Sequence, residues 1–183
     1  WRSPRPALGA RPVWRPRSLG WEGAPAGAVW YAHACASAGT DGVSAFIDVV
    51  EPDSRIRRVL DGLAALPPSV APLPLALLGG RRPARAFIGH VEPTFDWTLS
   101  FPANQQTLTD DLVRCLYESV CNGKPVGLAM SGYYPAANSL YQGYFTTLTR
   151  YQTQLGAQAK ASLDMLVYSR VTGHDRMSTM ILG

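Results

Sequence analysis

The stretch from Ala28 to Thr40, AVWYAHACASAGT, constrains the fold more than any other part of the chain. Val29, Trp30 and Tyr31 favour extended backbone. The run up to Cys35 is apolar almost throughout rather than alternating, as in a strand covered on both faces within a parallel sheet. Ser37, Gly39, Thr40 and Gly42 then supply a sharp turn in which backbone can approach closely. A thiol at the carboxyl end of such a strand sits where α/β folds place their chemistry. The rest of the chain reads as scaffold around Cys35.

Downstream, Asp41 to Val50 reads as a short helix capped by Thr40 or Asp41. Asp53 to Ala65 has Ile56, Val59, Leu60 and Leu63 at helical spacing, with Arg55, Arg57 and Arg58 on solvated faces. Pro67-Pro68 ends that helix. Leu73 to Leu78 is a short apolar element stopped by Gly79-Gly80. Ala84 to Val91 reads as a second buried strand, closed by Pro93. Thr107 to Asn122 is a helix with Asp110 and Asp111 in its first turn, a stripe of Leu112, Leu116 and Val120, and Gly123 at its end. Val126 to Met130 follows Pro125 as a further helix, and Ala136 to Ala161 is largely helical. Leu163 to Tyr168 and Met177 to Leu182 are apolar runs divided by a polar loop, Thr172 to Arg176, with Ser178 to Leu182 as a last strand. This alternation predicts an α/β domain over residues 27–183 with a largely parallel sheet.

Hydrophobic residues at 46% and charged residues at 16% mark a folded chain rather than a disordered one. The formal net charge of +4 is concentrated in an irregular Arg/Pro-rich arm, residues 1–26, which carries Arg2, Arg5, Arg11, Arg15 and Arg17. That arm is either a basic tail for an acidic partner or a solvated linker. The nearly neutral remainder excludes an electrostatic nucleic-acid surface. No apolar run approaches the ~20 residues that span a bilayer, and no signal peptide is visible. Cys35, Cys115 and Cys121 form neither a disulfide framework nor a zinc pattern, which fits a reducing, cytoplasmic setting. No metal or cofactor is expected.

A thiol with its ordinary pKa of about 8.5 needs a base or cation to act as a nucleophile at neutral pH. His33 lies two residues before Cys35, which in a strand places both side chains on one face about 7 Å apart. His90 ends the neighbouring strand and approaches the same sheet edge. His174 falls in the late polar loop, where it faces solvent or ties down a turn. Phe95, Trp97 and Phe101, just past the second strand, either wall a pocket or pack on the edge of the core. Cys115 and Cys121 belong to a helix and read as thiols without chemistry.

The motif His33-Ala34-Cys35-Ala36-Ser37-Ala38-Gly39 resembles the nucleophile turn of the caspase-like cysteine peptidases, and most closely that of the bacterial CHAT domains. The strand Ala86-Phe87-Ile88-Gly89-His90-Val91 running into Phe95 and Trp97, the helix from Leu112 to Gly123, and the following Val126-Gly127-Leu128-Ala129-Met130 are similar to the elements that succeed the cysteine in that group. The resemblance covers Ala28 to Met130 well and the remainder weakly. It implies a caspase-like three-layer α/β sandwich, here incomplete, and a cysteine endopeptidase with Cys35 as nucleophile acting through an acyl-enzyme. Amides of the turn around Ser37 and Gly39, with an upstream glycine, would hold the oxyanion. Phe95 and Trp97 would wall the pocket for the residue before the cut, with Asp96 selecting arginine or lysine. Asp41 would cap the following helix or face a basic substrate residue. The group's base is a histidine in a His-Gly motif on the preceding strand, and this sequence has no His-Gly. The expectation is therefore a piece of a longer parent whose other domains are its partners, prone to aggregate through an open sheet edge. Either it cleaves a protein or peptide substrate, with the base supplied upstream in that parent or by His33 or His90, or it is a non-catalytic caspase-like module with an interaction or regulatory role. A plain α/β domain with an incidental cysteine is the third reading.

Overall fold

The structure, a computed structural model, describes residues 26–47, 50–101, 106–107, 109–151 and 157–183. The Arg/Pro-rich arm lies outside the described residues except at its last position. The chain is mixed α/β. Strands β1 (Val29–Tyr31), β4 (Ala86–His90) and β7 (Thr179–Leu182) form a three-stranded sheet in the order β1-β4-β7. Two small antiparallel ribbons accompany it: β2 (Gly39–Thr40) with β3 (Ser69–Val70), and β5 (Ser100–Phe101) with β6 (Gln106–Thr107). The helices are α1 (Arg55–Ala64), α2 (Pro72–Leu78), α3 (Asp110–Val113), α4 (Val126–Met130), α5 (Pro135–Tyr151) and α6 (Ala157–Met177). A π-helical segment, Arg114–Val120, continues α3, and a 3₁₀ turn spans Asp96–Leu99.

β4 is the centre of the molecule. All five of its residues are buried, and alternation sends Phe87 to one face and Ile88 to the other. Ile88 packs with Leu112, Cys115, Met130 and Tyr133 from α3, the π segment, α4 and the following turn. Phe87 packs with Leu77 of α2 and Ala38 of the cysteine turn. The near-continuous apolar character of this strand follows from cover on both faces. A third cluster joins Phe46, Leu60 of α1 and Val171 of α6.

The sheet corrects the expectation of a mostly parallel arrangement. β1 runs parallel to β4 (Val29 opposite Ala86, Tyr31 opposite Ile88), but β7 runs antiparallel (Phe87 opposite Leu182, His90 opposite Thr179). The reason lies in α6. The segment Thr172 to Arg176 is not a loop but the last turns of this helix, which ends beside the carboxyl end of β4, where the Val91 amide donates to the Ser178 carbonyl at 3.0 Å. A strand starting there can only run back along β4. Gly173 sits inside the helix because a Cβ at that position would lie 3.3 Å from the Tyr141 ring of α5. It marks a close helix contact, not a break.

Other departures are local. α1 is capped by Ser54, whose hydroxyl accepts from the Arg57 amide at 3.0 Å, and of its apolar stripe only Leu60 is buried. Arg57 is not simply solvated: it pairs with Asp61 at 2.9 Å and donates to the Ile47 carbonyl. The stretch after Asp41 forms turns over its described residues rather than a regular helix. The helix expected from Thr107 starts at Asp110 and then widens, the Cys121 amide reaching back five residues to the Leu116 carbonyl. Among the described residues no helix is long and apolar enough to cross a membrane.

Candidate functional site

β1 ends at Tyr31 because the next carbonyl, that of Ala32, accepts from the Ser37 hydroxyl at 3.0 Å as the chain turns back on itself. The same hydroxyl accepts from the His90 amide at 3.0 Å. Ser37 thereby rivets the cysteine turn to the end of β4. Gly89 makes that approach possible, since a Cβ there would fall 2.7 Å from Ser37 Oγ and 2.7 Å from the Phe87 ring. Ala36, directly after Cys35, has φ +50, a left-handed conformation that costs a residue with a Cβ about 1 kcal/mol or more. The turn holds it there through the Ala36 amide, which donates to the Glu92 carbonyl at 3.0 Å.

This turn exposes Cys35. Its thiol donates to the Thr94 carbonyl at 3.3 Å. From the other side, the Thr94 hydroxyl lies 2.9 Å from His33 Nε2. Thr94 is therefore the residue that the thiol and an imidazole both touch. His33 Nδ1 is in turn 3.0 Å from His90 Nε2 and 3.2 Å from the Tyr31 hydroxyl. Fully buried His90 presents Nδ1 to Asp175 Oδ1 at 3.7 Å and to Ser178 Oγ at 3.4 Å. Asp175 is itself buried, with Oδ2 held at 2.8 Å by the Thr98 hydroxyl.

This sequence of contacts assigns the protons. A carboxylate beside His90 Nδ1 favours the tautomer with hydrogen on that nitrogen. His90 Nε2 is then an acceptor and takes a hydrogen bond from His33 Nδ1–H. That leaves the basic lone pair of His33 on Nε2, aimed at Thr94. Burial holds His90 below the ordinary histidine pKa, outweighing the charge of Asp175 and a bond to its backbone, so the relay keeps a neutral imidazole at its centre.

The structure brings together His33, His90 and Cys35 of the expected residues. It gives Ser37 and Gly39 other work. The amides of Ala36, Ser37, Ala38 and Gly39 each donate to a backbone carbonyl, at 2.8–3.2 Å. Those four amides are engaged, so Ser37 and Gly39 do not offer theirs to an oxyanion. Gly39 instead allows β2 to cross β3, where a Cβ would collide with the Ser69 carbonyl. Asp41 accepts from the Val43 amide at 3.2 Å, closing its own turn. The Phe95 ring stands edge-on to Phe46 at 5.5 Å and packs into the third cluster. Asp96 and Trp97 lie on the 3₁₀ turn, and their side chains fall outside the described residues. His174 is corrected: it faces inward from α6, with Nε2 3.4 Å from buried Glu92, Nδ1 3.3 Å from the Tyr141 hydroxyl and its ring against Phe46.

Sequence reasoning missed Thr94, Asp175 and Glu92. Asp175 sits in Thr-Gly-His-Asp-Arg, where a glycine among polar residues signals a loop. The contrary signal was the position of that segment between two apolar runs with no proline, which one continuous helix satisfies equally well. Among protein-family models, curated proteins and solved structures, none matches this chain.

Proposed function

We propose that the chain is a cysteine hydrolase domain of caspase-like type that cleaves peptide bonds, with Cys35 as nucleophile and His33 as base. The observation that carries the reading is the double engagement of Thr94, which brings the exposed thiol and the lone pair of His33 to a single residue. In the reaction His33 Nε2 takes the thiol proton as sulfur attacks the peptide carbonyl. The tetrahedral adduct collapses with loss of the amine, which leaves with that proton, and the acyl-sulfur bond remains. Water, deprotonated by the same nitrogen, then releases the acid and restores the thiol. His90 and Asp175 are positioning residues: they hold the His33 proton on Nδ1. The donor to the oxyanion lies elsewhere than the four engaged turn amides.

A second reading, a non-catalytic module of the same type, is favoured by one observation: the thiol donates to a carbonyl rather than to an imidazole. Alkylation by iodoacetamide, read by mass spectrometry at each cysteine across pH, separates the two. We expect Cys35 to react about tenfold faster than exposed Cys121 below about pH 7, where an ordinary thiol is nearly silent. His33→Ala abolishes that advantage. Asp175→Asn, which keeps shape but removes the charge that selects the tautomer, moves the labelling profile of Cys35 to higher pH without shifting that of Cys121. If Cys35 follows Cys121 at every pH, the nucleophile assignment is wrong and the non-catalytic reading stands.

A further inference from the structure

Beside the cysteine site the chain leaves an apolar pocket of about 270 Å³, walled by Phe46, Val50, Ile56, Phe95, Val167 and Val171. Its polar lining is slight. The Ser54 hydroxyl is already engaged in capping α1, and Glu51 is exposed to solvent. The pocket opens to solvent past Glu51 and Ile56, both exposed, so a side chain can enter it from outside. A dry cavity of roughly 150 Å³ accepts a benzene-sized guest, and whole-ligand sites begin near 300 Å³. The volume therefore suits one large side chain rather than a cofactor.

Its position supplies the occupant. Phe95, which forms part of the wall, directly follows Thr94, whose carbonyl holds the Cys35 thiol. The Thr98 hydroxyl lies 2.6 Å from the Phe95 carbonyl and 2.8 Å from Asp175 Oδ2, so the strand-end segment carrying both residues is tied to the relay. We propose that this pocket receives an apolar side chain, of leucine to tryptophan size, from a residue adjacent to the bond that Cys35 attacks. The inference rests on Cys35 being the nucleophile. It sets an apolar preference where a basic one was expected from Asp96, whose side chain lies outside the described residues; among the described residues the carboxylate that lines the pocket, Glu51, is exposed to solvent.

The test uses the full chain and acetyl-Ala-Ala-X chloromethyl ketones, in which the Cys35 sulfur displaces chloride. X is Leu, Phe, Lys or Asp, and the rate of Cys35 modification is read by mass spectrometry alongside iodoacetamide. We expect Leu and Phe to react about tenfold or more faster than Lys and Asp. Ile56→Trp places an indole at the mouth of the pocket from a position 48% exposed, where the fold tolerates it. In that variant the ratio between Leu and Lys falls to near one. A ratio near one in the unaltered chain, with fast iodoacetamide labelling, overturns the pocket assignment and leaves the nucleophile in place. A large ratio that Ile56→Trp does not change overturns it equally. Iodoacetamide labelling of Cys35 no faster than of Cys121 removes the nucleophile and this inference together.

Discussion

At Gly89 the side chain is missing because there is no room for one. The position lies in the central strand, where glycine ordinarily weakens a sheet. Here the space is taken by the Ser37 hydroxyl and the Phe87 ring, each 2.7 Å from where a Cβ would stand. Neither neighbour can retreat cheaply. Phe87 is fully buried, and Ser37 is fixed by bonds to Ala32 and His90. Gly89→Ala therefore forces the cysteine turn away from β4, and we expect a loss of about 1–3 kcal/mol, the usual cost of overpacking, measured by urea unfolding. The same displacement separates Ala36 from the Glu92 carbonyl and relaxes its left-handed conformation. An unchanged midpoint would show that the turn is not clamped as described. Thr94 shows how one residue can serve two partners, its carbonyl meeting sulfur and its hydroxyl meeting imidazole. Neither use leaves a mark in the sequence, since threonine after proline reads only as the end of a strand.

At the level of elements, the last turns of α6 organise the site. Three consecutive residues leave the helix in three directions, as 3.6 residues per turn requires. His174 meets Glu92, Asp175 meets His90, and Arg176 meets Asp111 at 3.4 Å while lying 4.9 Å over the Tyr133 ring. The two flanking contacts fix the rotation of the helix and so the aim of Asp175. Glu92 is buried, and besides His174 it accepts from the Ala45 amide at 2.7 Å. Removing the imidazole leaves a buried carboxylate short of a donor, a change that costs about 1–3 kcal/mol. We expect His174→Ala to lose that amount in urea unfolding and His174→Gln, which keeps a donor, to recover part of it. Equal losses in both would assign the contribution to packing on Phe46 instead. The elements themselves were largely legible. The apolar run Ala84 to Val91 announced a buried strand and gave β4, and Pro125 marked the start of α4. The rotation of α6 was not legible, because it depends on a glycine whose role is set by Tyr141 of another helix. Local chemistry distinguishes a helix from a loop only when no distant ring decides the matter.

For the molecule as a whole, the buried titratable groups set a pH window. His90 and Glu92 both sit below their ordinary pKa values. Burial lowers His90, whereas the Glu92 carboxylate is held down by His174, the Ala45 amide and Ser44 against an opposing burial effect. Each binds its proton less readily folded than unfolded, so the unfolded chain takes up protons first as acid is added, and stability falls with pH. Loss from His90 begins below the ordinary histidine value near 6.5, and loss from Glu92 below the ordinary carboxylate range near 4.3. Tyrosines act in the opposite sense. Burial pushes Tyr133 up to about 12 and Tyr31 higher still, so both phenols stay neutral in the fold after the unfolded chain has begun to ionise near pH 10. Their contribution is complete below that pH and is lost above it. The Cys115 thiol, likewise pushed up by burial, adds a loss above the ordinary thiol value near 8.5, so the two limbs define a plateau from about pH 6.5 to 8.5. We expect the melting temperature to be flat across it and to fall on both sides, with a slope of at most about 1.4 kcal/mol per pH unit for each proton taken up. In His90→Gln the limb between about pH 6.5 and 4.5 flattens, while the alkaline limb, which belongs to Cys115 and the buried tyrosines, is unchanged. Should the acid limb keep its slope in that variant, His90 is not the buried neutral imidazole on which the proton assignment of the site depends.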